Sequence, residues 1–208
     1  SCAQVQAEWT FLLYLDADND LEGAGIDDFF ELSSVGSTAD VNVVAQFDRI
    51  SGYDTSYDDW TDTRRFLITP GLTPSAANGT SIGEANMGDP QTLVDFVQWG
   101  VANYPANRYA VIIWDHGSGW LRTLDQEAVI KSIASDSTDG DALTMPELRS
   151  AMSTLSNGGA DPLDLVGFDA CLMAMAEVDN ELIPYVDVRV GSEETEPWDG
   201  WSYAPVLT

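Results

Sequence analysis

At 208 residues, the chain is long enough for one well-buried domain, and its 44% apolar content argues against intrinsic disorder. With 35 acidic residues against eight basic ones, its formal net charge is -27, which would repel nucleic acid phosphates and anionic membranes. Nucleic acid is therefore excluded as a partner, and no apolar run reaches the roughly 18 residues of a membrane span.

The amino-terminal pair Ser1-Cys2 has the form of a lipoprotein cleavage remnant, in which Cys2 would carry a lipid anchor. This interpretation predicts an extracellular or cell-surface location. Two alternatives stay open, since Cys2 could be an ordinary tail cysteine or could form a disulfide with Cys171.

Five short apolar runs, each ending in an acidic residue, have the length and composition of β-strands. The middle runs show no polar alternation, which is typical of strands buried on both faces. The five predicted strands are Thr10 to Asp16, Val41 to Asp48, Tyr109 to Asp115, Leu163 to Asp169 and Tyr185 to Glu193.

Helical patterns lie between these runs. Pro90 to Tyr104 places apolar residues at spacings near 3.6, and Thr144 with Glu147 forms a capping box that opens a helix reaching Leu155. Strands that alternate with helices predict a single α/β domain over 1–208 with a mostly parallel sheet.

Two stretches interrupt the alternation. Residues 49–88 are rich in Gly, Ser, Thr and Asp, and a strand around Arg64 to Thr69 predicts a hairpin or long loop attached to the sheet. Residues 118–143 are polar, and we expect an exposed, mobile connection there.

The only histidine and the only interior cysteine both follow predicted strands. Ligands bind at the carboxyl ends of parallel strands, so His116 and Cys171 are expected at one binding edge. Gly117 gives the backbone after His116 conformational freedom. A Met-, Ala- and Leu-rich segment after Cys171 predicts a helix whose dipole would favour the thiolate. The pair therefore favours nucleophilic catalysis over a structural role for each residue.

Four blocks of sequence, in order along nearly the whole chain, resemble the clostripain family of cysteine peptidases, which are relatives of caspases, legumains and gingipains. The resemblance implies a caspase-like three-layer α/β/α sandwich with His116 as acid and base and Cys171 as nucleophile. The blocks are Tyr14 to Glu22, Asp115 to Trp120, Asp169 to Met173, and Ser192 to Pro197 with Gly200-Trp201.

The same resemblance implies several further features. The backbone N–H groups of Gly117 and Cys171 would form an oxyanion hole. Cleavage of polypeptides after Arg or Lys would need an acidic pocket, for which Asp169 is the first candidate and Asp48 and Glu193 are further ones.

Maturation and metal binding are also implied. Self-cleavage within 118–143 would use Lys131, and relatives continue beyond the position of Thr208, so the chain is expected to be shortened at its carboxyl end. No cofactor is needed for the chemistry. Because some relatives require Ca²⁺, the acidic clusters Asp16-Asp18-Asp20-Glu22 and Asp136-Asp139-Asp141 are candidate oxygen ligands.

Two other functions compete with the peptidase. Asp16 and Asp18 follow a strand as in haloacid-dehalogenase-type phosphatases, but the single lysine lies in a polar loop instead of a phosphate site. A caspase-like domain retained as a non-catalytic binding or surface module is the second alternative, against which the presence of both His116 and Cys171 argues.

Overall fold

The computed structural model describes residues 6–118 and 132–208. Cys2 and Lys131, the predicted anchor and processing residues, lie outside the described residues. Within the described ranges the strands are β1 (Ala7–Ala17), β2 (Val41–Arg49), β3 (Thr63–Leu67), β4 (Thr80–Gly83), β5 (Ala106–Trp114), β6 (Ser132–Asp136), β7 (Asp141–Thr144), β8 (Leu163–Asp169) and β9 (Val186–Val190). The α-helices are α1 (Glu22–Val35), α2 (Pro90–Asn103), α3 (Met145–Leu155), α4 (Ala176–Leu182) and α5 (Tyr203–Val206).

A central sheet contains seven of these strands in the order β4-β3-β2-β1-β5-β8-β9. Five neighbouring strands of this sheet, β2, β1, β5, β8 and β9, run parallel to one another. β3 and β4 pair antiparallel at the edge beside β2. All five predicted strands belong to the parallel part, so the prediction of a mostly parallel α/β fold is confirmed. The β3–β4 hairpin lies within the predicted 49–88 insertion.

Successive side chains of the central strands enter two separate cores. Leu12 and Tyr14 of β1 pack with α2, α3 and α4, whereas Leu13 and Leu15 pack with α1 and α5. Because alternate residues of a strand face opposite sides of a sheet, helices cover both faces. The result is the predicted three-layer sandwich.

The helix starts follow from local chemistry. The Asp89 side chain accepts a hydrogen bond from Gln91 N at 2.8 Å, and Pro90 occupies the first turn of α2. At α3, Thr144 N donates to Glu147 Oε2 at 3.0 Å, so the predicted capping box is present.

The structure corrects the prediction that 118–143 is an exposed connection throughout. Residues from Ser132 onward form the antiparallel β6–β7 hairpin, in which Ile133, Ala134 and Leu143 are buried in the core with α2 and α3. This hairpin crosses the carboxyl edge of the sheet, because Asn19 Nδ2 donates to Ser135 O at 3.0 Å. Any processing loop is therefore restricted to the residues before the hairpin.

No helix among the described residues is both long and apolar enough to cross a membrane.

Candidate active site

A pocket at the carboxyl ends of β5 and β8 brings the predicted histidine and cysteine together. Since β5 and β8 are adjacent and parallel, residues that follow them emerge side by side. The pocket is lined by Leu21, Trp114, Asp115, His116, Asp169, Ala170, Cys171, Glu196, Pro197, Trp198 and Gly200.

His116 lies just past β5 with a half-exposed side chain. Its Nε2 atom is 2.8 Å from Oδ1 of Asp20, in the loop after β1. A carboxylate oxygen accepts hydrogen bonds, so Nε2 carries the hydrogen and Nδ1 is left to exchange a proton. Asp20 thereby fixes both the orientation and the tautomer of the ring.

Asp115 anchors the turn that presents His116. Its buried carboxylate accepts hydrogen bonds from Asn19 Nδ2 at 2.8 Å and from the backbone N–H of Ser135. Burial raises the pKa of Asp115 to about 7, although these hydrogen bonds act in the opposite direction. The loop after β1, the histidine turn and the β6–β7 hairpin are thus joined at one carboxyl group.

Cys171 lies in a turn and not at a helix end, which corrects the sequence-based prediction. Residues 171–174 form turns, and α4 starts only at Ala176. The turn is held by distant backbone: Leu172 N donates to Glu194 O at 3.0 Å and Ala174 N to Ser192 O at 2.8 Å. Leu172 has a φ of 63°, which is uncommon for a residue with a side chain. No helix dipole therefore acts directly on the thiol.

The thiol of Cys171 is free and partly exposed. Its Sγ atom accepts a hydrogen bond from the backbone N–H of Glu196 at 3.3 Å. The environment is that of an accessible nucleophile and not of a cysteine sealed in apolar packing.

Gly117 packs directly on the cysteine turn. A Cβ atom at this position would lie 2.4 Å from Cys171 O and 3.0 Å from Cys171 N, so a side chain is sterically excluded. Gly117 also forms an antiparallel bridge with Ile133 of β6. Beside it, Ser118 N donates a hydrogen bond to Ser132 O at 3.2 Å. Within the described residues, the backbone hydrogen bonds of these turns do not use the N–H groups of Gly117 or Cys171. Cys171 lines the pocket, and Gly117 follows the pocket residue His116 in sequence.

Two carboxyl groups form the acidic end of the pocket. Asp169 is buried and accepts hydrogen bonds from Trp201 N at 3.1 Å and Tyr203 Oη at 2.7 Å. Burial, followed by a hydrogen bond with Asp169, raises the pKa of Glu196 to about 8. Oε2 of Glu196 is buried without a hydrogen-bond partner among the described residues. This end of the pocket can therefore accept a cationic group.

The other two predicted specificity residues lie elsewhere. Glu193 is exposed and does not line the pocket. Asp48 is the second-last residue of β2, with β1 and β5 between it and β8, and it is fully buried. Burial, with the negative charges of Glu84 and Asp18, raises the pKa of Asp48 well above its ordinary value.

The carboxylates predicted as oxygen ligands group differently in the structure than they do along the sequence. Asp18 joins Asp48 and Glu84, while Asp136 and Asp139 form a second group around the same Glu84. Glu22 instead forms a buried ion pair with Arg49, with 2.7 Å between Oε1 and Nε. Asp141 accepts a hydrogen bond from Asn86 Nδ2 at 2.8 Å. The five carboxylates of the first two groups are the residues of the described structure that could hold a metal ion.

Sequence reasoning missed the roles of Asp20 and Glu196. Asp20 was noted within the Tyr14 to Glu22 block and in its acidic run, and Glu196 only within the Ser192 to Pro197 block. Glu196 had one usable signal, its place in a short acidic segment before Pro197 and Trp198. For Asp20 the block gave no role, because its contact with His116 depends on β1 lying next to β5.

Comparisons with known proteins show the family of this chain. A model of the clostripain family, Peptidase_C11, matches residues 13–208. Clostripain from Hathewaya histolytica is 31% identical over 189 residues, which cover 81% of this chain and 35% of that protein. The chain thus spans about a third of the length of that relative.

Solved structures show the same fold. A secreted C11 cysteine protease from Bacteroides thetaiotaomicron, in complex with an irreversible peptide inhibitor, superposes with a TM-score of 0.68 at 23% identity, over 97% of this chain and 53% of that one. An inactive zymogen C11 protease from Parabacteroides distasonis superposes with a TM-score of 0.68 at 21% identity, over 97% of this chain and 53% of that one. This chain spans about half of each.

Proposed function

Because this chain belongs to the clostripain family, we propose that it is the catalytic part of a cysteine endopeptidase that cleaves polypeptides after basic residues. The observation that carries the proposal is the shared pocket of His116 and Cys171, which has an acidic group at one end. The chemistry needs no cofactor, since nucleophile and proton carrier are both side chains.

In the proposed reaction, the Cys171 thiol gives its proton to Nδ1 of His116, and the sulfur attacks the carbonyl carbon of the scissile peptide. His116 then donates that proton to the leaving amine, and the acyl group stays on the sulfur. A water molecule, deprotonated by His116, releases the carboxylic acid and regenerates the thiol. Asp20 stabilises the ring when it is positively charged, through its 2.8 Å contact with Nε2.

The oxyanion of the tetrahedral intermediate is assigned to the N–H groups of Gly117 and Cys171. Support comes from the close packing of Gly117 on the cysteine turn, where a Cβ would be 3.0 Å from Cys171 N. Donors already directed at the position where charge develops lower the barrier without reorganisation.

Selectivity for Arg or Lys is assigned to Glu196 and Asp169. Asp169 accepts hydrogen bonds from Trp201 and Tyr203, which hold its carboxyl group at this end of the pocket, while burial raises the pKa of that group. Glu196 has an unpartnered Oε2, which would accept directly from a guanidinium or ammonium group. Asp48 and Glu193 are not retained in this role, because neither lines the pocket.

Processing and location extend the proposal. Self-cleavage after Lys131 remains our proposed maturation step, and it falls in the segment between Ser118 and the β6–β7 hairpin. An extracellular or cell-surface location is supported by the description of one structural relative as secreted. Cys2 as a lipid-bearing residue is a separate part of the proposal, based on the Ser1-Cys2 pair.

Hydrolysis of fluorogenic peptides tests the function. The test peptides carry Arg, Lys, Asp or Leu before the reporter group. The Arg and Lys peptides should be hydrolysed faster than the Asp and Leu peptides, and Cys171→Ala should abolish hydrolysis. Hydrolysis that survives Cys171→Ala would contradict the assignment of Cys171 as nucleophile, whereas silence with every peptide would favour the non-catalytic module.

A further inference from the structure

A second groove opens beside the active-site pocket. It lies between α1 and the loop that follows β2, and its volume of about 480 Å³ is within the range of about 300–1,000 Å³ that is usual for ligand sites. Three acidic and three aromatic residues give this groove its chemical character. We call it the side groove, and these residues are Asp20, Asp27, Phe30, Asp54, Tyr57 and Trp198.

The side groove is continuous with the active-site pocket. Trp198 lines both cavities, so the two meet at its side chain. Asp20, which also lines the side groove, contacts His116 Nε2 at 2.8 Å. Each residue of an extended peptide advances the chain by about 3.3–3.6 Å. A peptide bound at Cys171 would therefore bring a side chain near its cleavage site to the side groove.

Aromatic rings form part of the walls of the side groove. Trp198 is 67% exposed and Tyr57 is 40% exposed. Tyr57 packs against Phe30 of α1 with 5.1 Å between the ring centroids, and this contact joins the loop to the helix. Exposed aromatic surface beside a pocket is typical of a ligand-binding groove, and the faces of such rings attract cations.

Asp27 and Asp54 are the carboxylates of the side groove that remain open to a ligand. Asp20 is already engaged by His116, whereas neither Asp27 nor Asp54 belongs to an ion pair found in the described parts of the chain. Asp27 is exposed on α1 and lies three residues before Phe30, so both are on one face of the helix. Asp27 thus places a negative charge on the helix side of the groove.

The carboxylate of Asp54 is held on the loop side. Its Oδ1 atom accepts hydrogen bonds from the hydroxyl and the N–H of Ser56, and these bonds lower the pKa of Asp54. Arg49 adds to this lowering, but it is buried, pairs with Glu22 and donates to the backbone oxygen of Asp54. Asp54 is therefore charged at neutral pH, and its Oδ2 atom is left to accept from a ligand.

We propose that the side groove is a second substrate subsite, which binds a basic side chain within two residues of the cleavage site. This inference rests on the proposed peptidase function and adds a second recognition element to it. Asp27 and Asp54 accept hydrogen bonds from the cationic group, and the ring faces of Trp198 and Tyr57 stack on it. Arg should bind at least as well as Lys, because its planar guanidinium both stacks and donates in pairs.

Kinetics with matched peptides test the subsite. Each peptide carries Arg at the cleavage position and Ala, Lys or Arg at one of the two positions on either side. We expect a second basic residue at one of these positions to lower KM about fivefold relative to Ala, as for partly exposed charge pairs. The same residue placed five positions away should have little effect, because it cannot reach the side groove.

Variants assign the preference to the side groove. Asp27→Asn and Asp54→Asn should each reduce the KM ratio between the Ala and Lys peptides at least twofold. Asp187→Asn, on the exposed part of β9, removes the same charge elsewhere and should keep the full ratio. A ratio that persists in both groove variants, or that falls equally in Asp187→Asn, would overturn the proposal.

Failure of this inference is distinguishable from failure of the proposed function. If the single-Arg peptide is hydrolysed but no second basic residue lowers KM, the function stands and the subsite is wrong. If no peptide is hydrolysed, the function is wrong, and calorimetric titration of Cys171→Ala with the same peptides tests the side groove alone. Tighter binding of the paired basic peptide would support the subsite, and equal Kd values for the paired and single basic peptides would refute it.

Discussion

Asp20 Oδ1 lies 2.8 Å from His116 Nε2, and Oδ1 of Asp18, two residues earlier, accepts hydrogen bonds from Ser137 N and Thr138 N in the β6–β7 hairpin. One short loop after β1 therefore contacts both the histidine and the hairpin. This relationship connects the stability of the sheet edge to the orientation of the imidazole.

Replacing Asp20 tests its positioning role. We expect Asp20→Ala to lower kcat by roughly tenfold with little change in KM, because the ring loses its fixed orientation while the pocket is unaltered. Asp20→Asn keeps an oxygen acceptor and should retain more activity. Steady-state kinetics with an Arg peptide, using Asp187→Asn as control, measure both; equal kcat in all variants would contradict the role.

Substitution of Glu196 tests the acidic pocket. Glu196→Gln should raise KM for Arg peptides by about tenfold or more, because a charge-assisted hydrogen bond to the substrate is lost. Hydrolysis of a weak Leu substrate should change much less. Glu177→Gln, on an exposed part of α4, is the control. A uniform loss on Arg and Leu peptides would indicate a structural effect instead of selectivity.

The pH dependence of KM follows from the same group. Because the pKa of Glu196 is raised to about 8, its carboxylate becomes fully charged only as pH rises through that value. KM for Arg peptides should therefore fall between pH 6 and pH 9, and Glu196→Gln should flatten this change. KM measured across that range would contradict the assignment if both enzymes showed the same profile.

Gly117 offers a steric test of the oxyanion hole. An added methyl group would meet Cys171 O at 2.4 Å, so Gly117→Ala should displace the turn and reduce kcat about 100-fold or more. Gly23→Ala in α1 is the control, since its Cβ would meet one atom at 3.9 Å. Circular dichroism verifies folding, and a folded Gly117→Ala enzyme with wild-type kcat would remove Gly117 from the proposed hole.

Protonation of the buried Asp28 carboxyl group should make the free energy of unfolding depend on pH. Its buried carboxylate accepts from Trp114 Nε1 at 2.6 Å, and burial raises the pKa of Asp28 to about 8. Between pH 4 and pH 8 the folded chain keeps a proton that the unfolded chain has lost, so the free energy of unfolding falls as pH rises. Asp28→Asn should therefore raise Tm more at pH 8 than at pH 5, by about 2–4 °C for each kcal/mol gained. Equal Tm changes at both pH values would contradict this.

The sheet could be predicted from sequence because its central strands are buried on both faces. Runs such as 109–114 are continuously apolar, and the rule for carboxyl ends of strands then predicted that His116 and Cys171 share an edge. The β6–β7 hairpin was missed because its polar surface residues obscure Ile133 and Leu143. The helix α1 was missed because Gly23, Gly25 and several acidic residues interrupt its apolar pattern.

Long-range contacts account for the remaining differences between the sequence-based predictions and the structure. The residues after Cys171 have a helical composition, but bonds to Glu194 O and Ser192 O hold them in turns. The carboxylates that group around Glu84 follow β1 and β4 or belong to β2 and the β6–β7 hairpin, so their proximity depends on strand order, which local sequence does not encode. Asp48 was predicted to lie at the specificity pocket for the same reason, but β1 and β5 separate β2 from β8.

The central claim is that Cys171 is a nucleophile in a pocket that accepts a basic side chain. Its most direct test is the mass of the protein after reaction with an arginine-directed chloromethyl ketone, followed by peptide mapping. We expect one adduct, on Cys171, that is reduced in His116→Ala and slowed in Glu196→Gln. Absence of an adduct on Cys171 in the folded protein, or equal labelling by an aspartate-directed reagent, would contradict the account.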